Sequence, residues 1–171
     1  MRLKTAALLL LLGPAAVPAA AEIELESIRW QVSRAIPARK FEDVADLKAT
    51  DGLFKGVLRA QLKLYNRGNQ AEEGIVLRYS ITPRLTTVAG KGEGAWAVPL
   101  MVEQRRVPFL GANQRQEVAL DSNALIKPYL RKMNRAGFFP DQLKLQVMVE
   151  PLQAAKERTI KVLESVLPLT R

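Results

Sequence analysis

Glu42, Asp43, Asp46 and Asp51 crowd one short stretch of the sequence, and Glu103 adds a fifth carboxylate further on. Two carboxylates can run glycoside hydrolysis, one as acid and the other as base or nucleophile, when about 5 to 9 Å separates them in a groove. The same oxygens suit calcium, but their spacing does not match the Asp-x-Asp-x-Asp-Gly loop of a dedicated calcium site. A solvated connection is the simpler reading of such a run. Neither histidine nor cysteine occurs, which removes Ser-His-Asp and Cys-His nucleophilic machinery and ordinary zinc sites. Gly90, Gly92 and Gly94 sit in Gly-Lys-Gly-Glu-Gly, without the Gly-Lys-Ser/Thr ending of a phosphate loop. They read as the tip of a hairpin between residues 85–89 and 95–103. No catalytic residue, cofactor-binding residue or metal ligand is therefore assigned.

Cations give the sharper candidate. The chain carries 26 Lys and Arg against 17 Asp and Glu, and without Arg2 and Lys4 the surplus is still +7. Such a surplus favours an anionic partner: a lipid surface, an acidic glycan or an acidic protein face. Lys127, Arg131, Lys132 and Arg135 fall largely opposite the apolar side of one helical stretch and form the candidate patch for that partner. Nucleic acid is not expected, because the strands offer no aromatic platform for stacked bases. Trp30 and Trp96 could stack on sugars, yet each shares parity with aliphatic neighbours, so both are expected in the core.

The elements that must position these residues are mostly strands. Leu58, Ala60, Leu62 and Leu64 alternate with polar residues, as do Ile75, Leu77, Tyr79 and Ile81. The stretch between them, Asn66 to Glu73, contains Asn and Gly residues that favour a reversal, so the two strands are expected to pair antiparallel. Trp96, Val98, Leu100 and Val102 share a face, with Pro99 marking an edge strand. Val118 and Leu120 form a short strand, and Leu143, Leu145, Val147 and Val149 a longer one. Ile160, Val162 and Val166 supply the inward face of the last. Parity changes between Ile23, Leu25 and Ile28, Trp30, Val32, which calls for a bulge near Ser27 or a strand that moves between sheets.

Residues 121–136 break the alternation, with Leu125, Ile126, Tyr129, Leu130 and Met133 at helical spacing. Asp121 or Ser122 can cap this helix and Gly137 can end it, although Pro128 suits only a first turn. The fold expected is mainly β: an antiparallel immunoglobulin-like β-sandwich with one helix before the last two strands. A barrel is the alternative. The strand-Asn-x-Gly-x-x-Ala-strand stretch from Leu62 to Pro83 resembles bacterial immunoglobulin-like envelope modules, the CARDB-type group among them. That resemblance implies display, spacing or binding rather than catalysis, and it carries over turn chemistry at Asn66 and Gly68 only.

Residues 1–21 have a basic start, an apolar run from Ala6 to Leu12 and an Ala19-Ala20-Ala21 exit, the pattern of a secretory signal peptide. The apolar run is short of the roughly 20 residues that a spanning helix needs. Residues 22–171 are then one exported domain, periplasmic or extracellular, and without cysteine they hold together without disulfides or a lipid anchor on a cleavage-site thiol. The expected role is a non-enzymatic binding or assembly module of the cell envelope, with an edge strand such as that bearing Pro99 able to join a partner's sheet. The alternative is a carboxylate-dependent polysaccharide hydrolase or a calcium-dependent carbohydrate-binding protein. Intact-mass analysis of the exported protein should show Glu22 as its first residue; a released product retaining residues 1–21 would contradict the leader assignment.

Overall fold

The computed structural model describes residues 22–35, 37, 40–50, 53–87, 93–122, 124–150 and 160–170. Residues 1–21, read above as a leader, and Asp51, Gly90, Gly92 and Pro151 lie outside the described residues. Strands β1 (Ile23–Ser33), β2 (Glu42–Asp43), β3 (Leu47–Thr50), β4 (Leu53–Phe54), β5 (Val57–Asn66), β6 (Glu72–Thr87), β7 (Ala95–Trp96), β8 (Met101–Leu110) and β9 (Arg115–Asp121) precede helix α1 (Ile126–Arg135). Strands β10 (Phe138–Val149) and β11 (Val162–Thr170) follow it. The chain is thus mainly β, with the helix immediately before the last two strands.

A four-stranded antiparallel sheet runs β2-β1-β5-β9, and a second, mixed sheet runs β4-β3-β11-β10-β6-β7, with β8 also pairing β6. Neither is a closed barrel. The parallel contact is β3 with β11. Alternation explains the shared core, because Leu58, Leu62 and Leu64 from one sheet and Ile75, Leu77, Leu143 and Leu145 from the other are essentially inaccessible to water. Trp30 is buried with them, and its Nε1 donates to Ser165 Oγ at 3.1 Å across the sheets. The predicted change of parity is a register shift between Leu25 and Ser27 in the β1-β5 pairing.

Three expectations need correction. β5 and β6 do not pair: β5 lies between β1 and β9, whereas β6 belongs to the other sheet. Alternation dictates which side of a strand is buried, but not its neighbour, and the buried residues of both strands belong to one hydrophobic cluster. The link works through the Asn66 side chain rather than positive-φ residues. Oδ1 accepts from the backbone N–H groups of Glu22 (3.2 Å) and Gly68 (3.0 Å), while Nδ2 donates to the carbonyls of Gln70 (2.7 Å) and Leu110 (3.3 Å). Asn66 is wholly buried, and its bonds with Gly68 and Leu110 form away from water, whereas those with Glu22 and Gln70 are partly buried.

Second, β11 turns its other face inward. Val162 and Val166 are exposed, as is Ile160 just before the strand, and Leu167 and Leu169 are buried. Directly paired residues share a face, and Leu143↔Leu167 and Leu145↔Ser165 place the odd-numbered residues of β11 with those of β10. Third, the stretch bearing Trp96 is broken into β7 and β8 around Pro99. Pairing of Ile81 with Met101 and Ile75 with Val107 buries Met101 and Val107, leaving Trp96, Val98 and Val102 exposed. The position at the edge of the sheet is as expected.

Loss of the Asn66 side chain would orphan the buried Gly68 N–H and the buried Leu110 carbonyl. Asn66→Ala should therefore lower unfolding free energy by about 2 kcal/mol or more, measured as a lower urea midpoint at unchanged slope. A loss below about 0.5 kcal/mol would mean that water replaces these bonds without cost.

Candidate functional site

Helix α1 leaves edge strand β9 and leads into β10, in the interior of the second sheet. Its inward side is short. Ile126 and Leu130, one turn apart, are buried, with Tyr129 partly buried against the core, and the helix packs on β10 and β4. The helix starts later than the capping residues Asp121 and Ser122 suggest. Asp121 belongs to β9, and the Ser122 hydroxyl donates to the Leu58 carbonyl instead of capping. This start makes Pro128 the third helical residue, where no intrahelical N–H bond is required. Gly137, with φ +86°, ends the helix and donates its N–H to the Asn134 carbonyl at 3.1 Å. Lys132 and Arg135 lie in the last turn, where cations complement the helix dipole.

The four predicted cations divide into one and three. Lys127 bends back onto the protein: its Nζ donates to the Gly56 carbonyl and stands 5.2 Å from the centroid of the Phe54 ring. Gly56 is fixed in turn, because it has φ +97° and a Cβ there would come within 2.3 Å of the Ser33 carbonyl oxygen. Arg131, Lys132 and Arg135 instead point to solvent. Among the described residues, no carboxylate pairs with any of the three.

The outer face of the four-stranded sheet is equally rich in cations, but there they are engaged. Arg29 bridges Asp43 (3.1 Å) and Glu117 (2.7 Å), and Glu26 receives both Lys63 (3.3 Å) and Arg115 (2.8 Å). Partial desolvation opposes ionisation of Glu26, yet the hydrogen bonds from Arg115 and Lys63 hold its carboxyl below the usual carboxylate range. Arg59 donates to Gln31 at 2.8 Å and lies 3.6 Å from the Phe41 ring centroid. On the second sheet, Arg84 makes a two-pronged contact with Asp141 at 3.0 and 2.6 Å, and Arg78 pairs with Glu150.

The predicted carboxylates are dispersed. Asp43 spends one oxygen on Arg29 and the other on Gln31 (2.6 Å), Glu42 pairs with Lys40 (3.5 Å), and Asp46 is exposed beside β3. Glu103 belongs to β8 of the other sheet. Among the described residues no group of three or more acidic side chains could hold a metal ion. Trp96 departs from its expected burial: it is 42 % exposed, with the Lys144 ammonium 4.7 Å from its ring centroid. Sequence reasoning missed it because the β7-β8 break interrupts the alternation on which the burial argument rests.

No protein-family model matches the chain, and no curated protein matches it. Solved structures give distant likenesses. A β-glucosidase, EmGH1, from Erythrobacter marinus is 11% identical at TM-score 0.40, covering 88% of this chain and 16% of its own. A protein from Archaeoglobus fulgidus is 15% identical at TM-score 0.39, covering 86% and 99%. A β-glucosidase from Listeria innocua, in complex with gluconolactone, is 10% identical at TM-score 0.34, covering 88% and 16%. The chain thus spans 16% of each glucosidase, and similarity this low bears on neither activity nor ligand.

The division among the helix cations is measurable. Lys127→Met should cost about 1 kcal/mol through the lost bond to Gly56, whereas Arg131→Gln should stay within about 0.5 kcal/mol of the parent. Equal effects in urea unfolding would contradict the distinction.

Proposed function

We propose that this is an exported, non-enzymatic module of the cell envelope, an immunoglobulin-like β-sandwich that binds an anionic partner through the outer face of α1. The leader pattern in residues 1–21 supports export, and residues 22–171 are read as one domain. The single observation that carries the binding assignment is the contrast in cation pairing: among the described residues, Arg131, Lys132 and Arg135 are exposed without a carboxylate, whereas Arg29, Lys63 and Arg115 are held by Asp43, Glu117 and Glu26. Among the described residues, an arriving anion meets no internal competitor at the three helix cations.

Joining of a partner's strand to β8 is the weaker assembly route. Pro108 lacks a donor, and the exposed Glu103, Arg105 and Arg106 are the kind of charge that blunts an edge. The carbohydrate-binding alternative draws its support from exposed Trp96 beside Lys144. Dextran sulfate distinguishes the readings. Binding should weaken with added salt, because exposed charges are screened over about 8 to 10 Å near physiological ionic strength. The triple variant R131Q/K132Q/R135Q should lose about tenfold in affinity, taking roughly 0.5 kcal/mol for each exposed pair. A matched variant at Arg59, Lys63 and Arg78 should lose far less. Equal losses would assign the binding to total charge instead of the helix.

A further inference from the structure

We infer that the anionic partner is the surface of a lipid bilayer, an inference that rests on the anionic-partner assignment above. The outer side of α1 is not purely basic. Leu125, at the head of the helix, is 64% exposed, and Pro128 one turn later is exposed as well. Leu125, Pro128 and Lys132 follow the i, i+3, i+7 spacing that places side chains along one stripe, with Arg131 and Arg135 on the adjoining stripe. Phe138, three residues beyond Arg135, is 42% exposed. Leu125 and Pro128, which have no aromatic face to stack on a sugar, gain little from a hydrated polysaccharide. At a bilayer interface, the apolar groups leave water while the cations meet headgroup phosphates.

The mounting of the helix suits such a contact. Ile126 and Leu130 are buried beneath it, and Lys127 ties its first turn to the Gly56 carbonyl, so the outward stripes are held as one fixed face. Lys55, exposed in the turn beside Gly56, adds a further cation near the helix start. No described helix is long and apolar enough to cross a membrane. The contact is therefore peripheral and reversible, combining a small apolar term with an electrostatic one.

Sedimentation of the exported protein with vesicles tests this directly. It should partition onto phosphatidylcholine vesicles containing phosphatidylglycerol and remain in solution with phosphatidylcholine alone. R131Q/K132Q/R135Q should lower partitioning about a hundredfold, at roughly a factor of five for each cation near an anionic surface. Leu125→Ser removes an exposed side chain at a position where serine is well tolerated, so its urea midpoint should match the parent. It should lower vesicle binding about tenfold, as expected for burial of one leucine, while leaving dextran sulfate binding unchanged. Unchanged vesicle binding by Leu125→Ser would overturn the lipid inference. Binding to dextran sulfate without binding to anionic vesicles would also overturn it and leave the anionic-partner assignment standing. Binding to neither would overturn both.

Discussion

The buried side chain of Asn66 fixes the point where the chain crosses from one sheet to the other. Without a disulfide, the two sheets are held by a shared apolar core and by local polar joints, of which Asn66 makes four hydrogen bonds at one place. It connects the start of β1, the end of β5, the approach to β6 and the end of β8. The buried faces of β5 and β6 contribute to one hydrophobic cluster shared by the two sheets. Helix α1 depends on this arrangement because the surfaces beneath it, β10 and β4, both belong to the second sheet.

Charge has two uses in the molecule. Across the four-stranded sheet, cations and carboxylates are interleaved so that Arg29, Lys63, Arg67 and Arg115 each have an acidic neighbour within 3.4 Å. Exposed pairs of this kind add little stability individually, but they leave little local cation excess. The helix segment from Ala124 to Phe138 contains no acidic residue at all, and with Lys127 turned back to Gly56 it is Arg131, Lys132 and Arg135 that face solvent. The +7 surplus of residues 22–171 is therefore more informative when it is located than when it is totalled.

Much of the burial pattern was legible from period two. Leu58 to Leu64, Ile75 to Ile81, Val118 with Leu120, and Leu143 to Val149 all bury the faces that alternation selects, and the parity change in β1 marks a real irregularity. Pairing was not legible, because two strands with equally apolar sides can meet edge to edge or through the core. β11 failed for a different reason: Val162, Leu163, Val166 and Leu167 put apolar residues on both faces, and only its register with β10 decides between them. At the candidate site, the wheel identified a basic face but could not show that Lys127 bends back to Gly56, a backbone carbonyl 71 positions away in sequence. The short strands β2, β3 and β4 carry too few residues for a period to emerge.

The central claim is that the outer face of α1, rather than the charged sheet or the β8 edge, receives the anionic partner. Amide hydrogen exchange with and without anionic vesicles locates that contact residue by residue. The account predicts slowed exchange in residues 124–137 on binding, with unchanged exchange in β1, β5 and β8. Protection confined to β8 or to the four-stranded sheet, with α1 unaffected, would contradict it.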